Sequence, residues 1–289
     1  MSATTPINQQ NPLTRFMRQP KIYITMPSQG QYWPPGSIEL PENGQVPVFS
    51  MTARDELLFK TPDALMNGQA VVDVIQSCVP NIKNAWHTPS IDMDMILVAI
   101  RMATYGEKMS VKYQVPVIEE ETDYEIDLHQ FIDRSSENMW IEQVPIDNEL
   151  IVFIKPLTYR HMTNISVKSF ETSKIMQIAQ NDSLSDKQKL DMVNNSFKIL
   201  SELTTDLMMG TIFKIKTPEG DVTDSRYIKE FIENADKSVF DIVQQHINDL
   251  KEQNEIKPVT MATTEDQQAR GAPVSFDIPI NFDQTNFFA

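Results

Sequence analysis

Between Thr61 and Gly106 the chain reads TPDALMNGQAVVDVIQSCVPNIKNAWHTPSIDMDMILVAIRMATYG, and this stretch constrains the fold more than any other. Thr61-Pro62 places a capping residue before a proline at the first helical position, where the missing N–H removes no hydrogen bond. Ala64, Leu65, Val71, Val72, Ile75 and Val79 recur at helical spacing, and Pro80 cannot continue the ladder. Ser90 is a second cap. Asp92 and Asp94 follow in the first turn, where the helix dipole favours carboxylates. Ile91, Met95, Val98 and Met102 share one face, widened by Leu97 and Ile100, and Gly106 stands at a C-cap position. The spacing predicts a helical hairpin with a Trp-containing link, Asn81 to Pro89. Leu65, Val72, Ile75, Met95, Val98 and Met102 are its expected core scaffold. Its apolar faces exceed what two helices bury against each other, so helices at 185–208 and 236–253 are expected to pack onto it.

Residues 1–50 differ from the rest. Eight of the 18 prolines fall there, and no acid precedes Glu39 while Arg15, Arg18 and Lys21 are basic. Such a stretch is neither a helix nor a self-contained core. One apolar strand, Lys21-Ile-Tyr-Ile-Thr25, leads into the turn-rich MPSQGQYWPPGS. The reading is an extended proline-rich arm over 1–50. Phe16, Tyr32 and Trp33 are its expected partner-binding aromatics, since disordered tails are usually poor in aromatics.

A mixed body over 51–253 follows. Thr52 and Asp55 predict a short capped turn. Met109 to Ile118 and Tyr124 to Leu128 alternate as a β-hairpin around a charged turn, Glu119 to Asp123, and Pro116 suggests an edge strand. Leu150 to Ile154 is a further strand. A helix is expected over 164–180. Another runs from the capping box Ser185/Gln188 to about Met208, with Leu190, Val193, Phe197, Leu200, Leu203 and Leu207 on one face. That spacing is close to a heptad but spans about two repeats, too few to name a coiled coil. Gly210 is expected to end it, before a strand at 212–215, a turn at Pro218 to Asp221 and helices opening at Ser225 and Asp236.

Residues 254–289 are expected to be a linker, polar from Pro258 to Gly271, and an aromatic tail. In the tail Val274, Phe276, Ile278 and Ile280 alternate, and Phe282, Phe287 and Phe288 are candidate docking anchors. The fold class is therefore α+β and mainly helical, a central helical hairpin with short antiparallel β-hairpins, an extended N-terminal arm and a C-terminal tail.

Composition narrows the function. The 289 residues are 40% hydrophobic, so a sizeable core is expected. No run approaches the roughly 18 apolar residues of a membrane span, and no apolar leader segment opens the chain. The formal net charge of −15 argues against broad contact with nucleic-acid phosphates. A single cysteine, Cys78, excludes an internal disulfide framework, and its expected place is a buried position on the first helix.

Signals for chemistry are weak. His87, His129, His161 and His246 lie in four different elements and none has a metal-ligand spacing. His129 stands near Asp127 and Asp133 in sequence, yet a histidine among surface acids is usually just solvated. The acids from Glu119 to Asp123 lack the spacing and glycine of a calcium loop. No glycine-rich phosphate loop occurs among eight glycines. Arg54, Arg101 and Arg160 read first as surface or salt-bridge residues. No catalytic residue, metal or cofactor is assigned. A non-enzymatic binding or assembly protein remains.

The segments TPDALMNGQAVVDVIQSCVPNIKNAW and PSIDMDMILVAIRMATYG resemble the baseplate hub and hub-assembly proteins of T4-type contractile-tailed phages. YIKEFIENADKSVFDIVQQHI and the terminal Phe-Phe resemble the same family's C-terminal half. The resemblance runs from about residue 40 to the end. It implies a role in forming, or helping to assemble, the central hub of the baseplate. Partners would be other tail and baseplate proteins, with no nucleic acid, membrane or small molecule. The location would be the virion tail baseplate, or the host cytoplasm during assembly. Some relatives carry Cys-x-x-Cys pairs where this chain has Tyr113 to Glu125 and Val259 to Val274, so any hairpin here must hold without zinc. The alternative is an acidic adaptor or chaperone that binds a client outside phage tails.

Overall fold

A computed structural model describes residues 13, 16–61, 67–118, 120–135, 140–179 and 185–280. It is α+β and mainly helical, with short antiparallel strand pairs. Two hydrophobic cores organise it.

The first core is built around the predicted helical hairpin. Helix α1 (Ala53–Phe59) opens on the predicted cap, with Thr52 and Asp55 bonding reciprocally. Helix α2 is Gln69–Cys78 and helix α3 is Ser90–Tyr105. A 3₁₀ turn at Ala85–His87 lies in the link between them. Nearly every side chain of α3 from Asp92 to Ala103 is buried, so it is a central helix and not an amphipathic one. Gly106 caps it, at φ 98°.

Two predicted starts are displaced. Pro89, not Ser90, is the N-cap of α3. Helix α2 starts at Gln69, and the Thr61 hydroxyl donates to Leu57 O behind α1. Pro62 to Met66, including Ala64 and Leu65, lie outside the described residues. Gly68 is the true N-cap of α2, at φ 78°. A Cβ there would lie 3.0 Å from the Thr163 side chain, so both backbone shape and close packing ask for glycine.

Strands β1 (Pro20–Thr25) and β2 (Gln45–Phe49) pair antiparallel. Ile24, Met26, Trp33, Val46 and Val48 enter the first core. Over 20–49 the expected arm is therefore packed onto the body, because alternate apolar residues on the strands find a covered face. Strands β3 (Lys108–Val115) and β4 (Glu120–Asp127) form the predicted hairpin, but its turn is Pro116 to Ile118. Of the acids expected in the turn, Glu120, Glu121 and Asp123 lie on β4, where Glu121, Asp123, Glu125 and Asp127 alternate outward, and Glu119 lies outside the described residues. Helix α4 (His129–Ser135) follows.

The second core lies on a four-stranded antiparallel sheet of order β5 (Gln143–Pro145), β6 (Ile151–Ile154), β7 (Ile212–Thr217), β8 (Gly220–Val222). Between β6 and β7 the chain makes a long helical hairpin, α5 (Tyr159–Ala179) and α6 (Asp186–Thr211). The Ser185/Gln188 box starts α6 as predicted. Gly210 does not end it: a Cβ would lie 2.9 Å from Leu157 Cδ2, so this glycine serves close packing inside the helix. Helices α7 (Ser225–Asn234) and α8 (Lys237–Asn254) send Ile228, Val243, Ile247 and Leu250 into this core with Met208, Val152 and Ile215. The expectation that α6 and α8 cover the central hairpin is corrected: these residues cover the sheet, whose own apolar face needs them.

The chain then returns to the first core. Residues read as a linker form β9 (Val259–Ala262) and α9 (Glu265–Ala269), and β10 (Ser275–Ile278) pairs with β9. Thr264 and Gln267 make a capping box on α9. Phe276 stacks on Tyr113 at 5.7 Å and meets Tyr124 edge-on at 5.6 Å. Aromatic packing thus joins β10 to the β3–β4 hairpin.

Candidate partner-binding surfaces

The aromatic residues proposed to face partners fall into separate places. Trp33 is buried, with its indole N–H donating to Asp92 Oδ2 at 2.7 Å. The Ser28 backbone N–H donates to Oδ1 at 2.8 Å, and its hydroxyl donates to Oδ2. Burial pushes the Asp92 carboxyl up to about 6 against the opposing pull of these bonds. Trp33 is therefore a lock between the N-terminal loop and α3, a correction to its expected role.

Tyr32 is half-buried. Burial and a hydrogen bond to the Glu142 carboxylate raise its phenol. It tethers the N-terminal loop to the chain just before β5, and is spoken for inside the molecule. Phe16 is 69% exposed, with Leu13, Met17 and Tyr23 also exposed. Phe282, Phe287 and Phe288 lie outside the described residues. The scaffold residues Val72, Ile75, Met95, Val98 and Met102 are all buried in the first core, and Leu65 is outside the described residues.

Just after Phe16 the chain is fixed. The Arg18 guanidinium donates to Ser50 O at 2.5 Å, Ser77 O at 2.6 Å and Ser77 Oγ at 2.9 Å, and stands 3.6 Å from buried Asp55. Cys78 is buried beside it, and burial pushes its thiol up to about 12. A thiol so protonated is not a nucleophile at neutral pH.

The two cores meet at the link of the central hairpin. Ser90 N–H donates to Leu157 O at 2.7 Å and Tyr159 N–H to Thr88 O at 2.8 Å. Trp86 stacks on Tyr159 at 5.6 Å, and Arg160 lies 5.0 Å from the Trp86 ring centre. With Gly68 against Thr163, these contacts grip the first turns of α5. The distal part of the α5–α6 hairpin carries exposed apolar side chains: Phe170, Ile178, Leu190 and Phe197. The sequence reading missed this surface because it assigned every amphipathic face to a core. The heptad-like spacing of α6 was the available signal.

His87 and His161 lie near enough for their charges to interact, but the four rings have different hydrogen-bonding or charged neighbours. His87 Nδ1 meets Ser37 Oγ at 2.7 Å, His161 Nδ1 meets Thr158 Oγ1 at 2.7 Å, and His246 Nε2 lies 3.1 Å from Ile141 O. His129 Nε2 lies 3.3 Å from Glu107, and its backbone N–H donates to Asp127. The Asp133 side chain lies outside the described residues. Among the described residues no group of three or more His, Cys, Asp or Glu side chains is placed to hold a metal ion. No helix among them is long and apolar enough to cross a membrane.

A family model described as T4 bacteriophage base plate protein matches residues 37–269, well over half of the chain. No curated protein and no solved structure matches.

Proposed function

We propose that this chain, which belongs to the T4 bacteriophage base plate protein family, works without catalysis, as part of the central hub of the baseplate or as a factor in hub assembly. The single observation that carries this reading is the family match across 37–269. It takes in β2, the central hairpin, most of the first core, the whole second core and α9. The geometry supports a role by contact. The first core is continuous, and the large apolar side chains left bare include Phe170, Ile178, Leu190 and Phe197 on the α5–α6 hairpin and Leu13, Phe16 and Met17 ahead of β1. The partners in this reading are other tail and baseplate proteins. It acts in the virion tail, or in the host cytoplasm while the hub is built.

Mass spectrometry of purified virions, with affinity capture of the tagged protein from infected cells, tests this. A lasting subunit is recovered in the particle with hub proteins. An assembly factor is recovered with hub intermediates and lost from the particle. Recovery with neither would contradict the proposal.

A further inference from the structure

We propose that the cavity at the base of the α5–α6 hairpin binds the end of a partner protein's chain, with the last apolar side chain on the cavity floor and the terminal carboxylate on the cations at the rim. This deepens the baseplate reading by naming how a partner is held, and rests on that reading only for which proteins are met.

The cavity lies between the start of α5 and the end of α6 and holds about 260 Å³. That is below the roughly 300–1,000 Å³ of pockets that enclose a whole small molecule, so it suits one inserted side chain. Its floor is apolar. Leu203 is buried, and Ile165 and Met209 are half-buried. Gly210 keeps the wall open beside His161, since a Cβ there would lie 3.4 Å from Cδ2 of the ring.

The base end of the rim is cationic. Burial, followed by the charges of Lys155, Arg160 and His87, lowers the pKa of the His161 imidazole, so the ring is neutral at pH 7 among permanent cations. Lys155 is placed by its backbone N–H, which donates to Thr211 O at 2.9 Å, next to Gly210. Arg160 lies 5.0 Å from the Trp86 ring centre and is exposed. Among the described residues neither Lys155 nor Arg160 makes an ion pair. The one acid on the cavity wall is Asp206, held by Lys168 at 3.0 Å about one turn of α6 from Gly210. Glu171 and Glu202 stand about a turn farther toward the tip of the hairpin. The field is therefore positive at the His161 end and mixed beyond Lys168.

Depth selects the occupant. A glutamate entering side chain first would set its carboxylate on Leu203 and Met209, away from the cations. A chain end enters with its apolar side chain and leaves its carboxylate at backbone level, where exposed Arg160 and half-buried Lys155 are free to bond it. In a chain of net charge −15, most of the surface repels such a group, which adds to the selectivity of this one place.

The test uses the full chain and three peptides labelled with fluorescein at the N-terminus: one ending in leucine with a free carboxylate, the same peptide amidated, and an amidated one with an internal leucine-glutamate pair. Binding is read by fluorescence anisotropy, and its place by NMR of the four histidine rings. The free acid is expected to bind at least about tenfold tighter than either amidated peptide. Its binding should shift the His161 signals and leave those of His129 and His246 in place. Lys155→Gln with Arg160→Gln should bring the free acid down to the affinity of its amide, and Asn164→Trp, which fills the exposed mouth, should abolish binding, both with unchanged circular dichroism. If the double variant unfolds, Asn164→Trp alone decides the place. Equal binding of acid and amide, no binding, tighter binding of the internal glutamate, shifts confined to His129 or His246, or binding that survives Asn164→Trp overturns the proposal. Virion composition does not depend on any of these outcomes, so the two readings fail separately.

Discussion

The indole of Trp33 donates to the carboxylate of Asp92 at 2.7 Å, inside a core that admits little solvent. The bond joins a proline-rich loop to the middle of the molecule across 59 residues of sequence. It explains why a segment that looks like a free arm is fixed. Trp33→Phe keeps most of the packing and removes the donor. It should cost about 1–3 kcal/mol, read as a lower denaturant midpoint. An unchanged midpoint would show that the bond contributes nothing net.

Asp94 gives a pH test. Burial, with the charge of Glu255 second, raises its carboxyl from 3.8 to about 6. Between those values the folded chain holds a proton that the unfolded chain has released. Stability therefore falls as pH rises through that window, and the loss is complete above it. Asp94→Asn should recover about 1–2 kcal/mol at pH 7 and little at pH 4. Asp92 shifts in the same direction and remains in both proteins, so their difference isolates Asp94. A variant with the same pH profile as the parent would refute this origin.

Val98 is fully buried on α3. Val98→Asp places an unpaired charge there and should unfold the chain, costing more than about 3 kcal/mol. Phe197→Ser on the bare face of α6 should leave the thermal transition nearly in place. A folded Val98→Asp protein would move the central helix to the surface.

Gly68→Ala tests the grip of the central hairpin on α5. The residue must hold a left-handed φ of 78° and its Cβ must press on Thr163. The expected cost is about 1–2 kcal/mol from the backbone alone. Thr163→Ser should relieve only the steric part, so the double variant should remain below the parent in denaturant melts.

Much of this architecture is legible in sequence, for local reasons. Pro80, Gly106, Thr52/Asp55 and Ser185/Gln188 are boundary signals whose chemistry acts within four residues. The alternation of β3 and β4 acts over the same range. What the sequence hides depends on distant neighbours. Thr61-Pro62 reads as the start of this helix, but α2 begins after Gly68, where the Thr163 side chain packs close. Trp33 looks like an exposed anchor until Ser28 and Asp92 are seen around it. Val259 to Gly271 is polar enough to pass for a linker, and only pairing of β9 with β10 shows otherwise. The bare apolar face of α6 was visible as a spacing but not as a surface, since periodicity does not say what covers a face.

The most direct test of the central claim is negative-stain electron microscopy of particles made in cells by a phage lacking this protein. The account predicts missing or incomplete baseplates, and normal tails when the protein is supplied from a plasmid. Complete, infectious tails formed without it would contradict a role in building the baseplate.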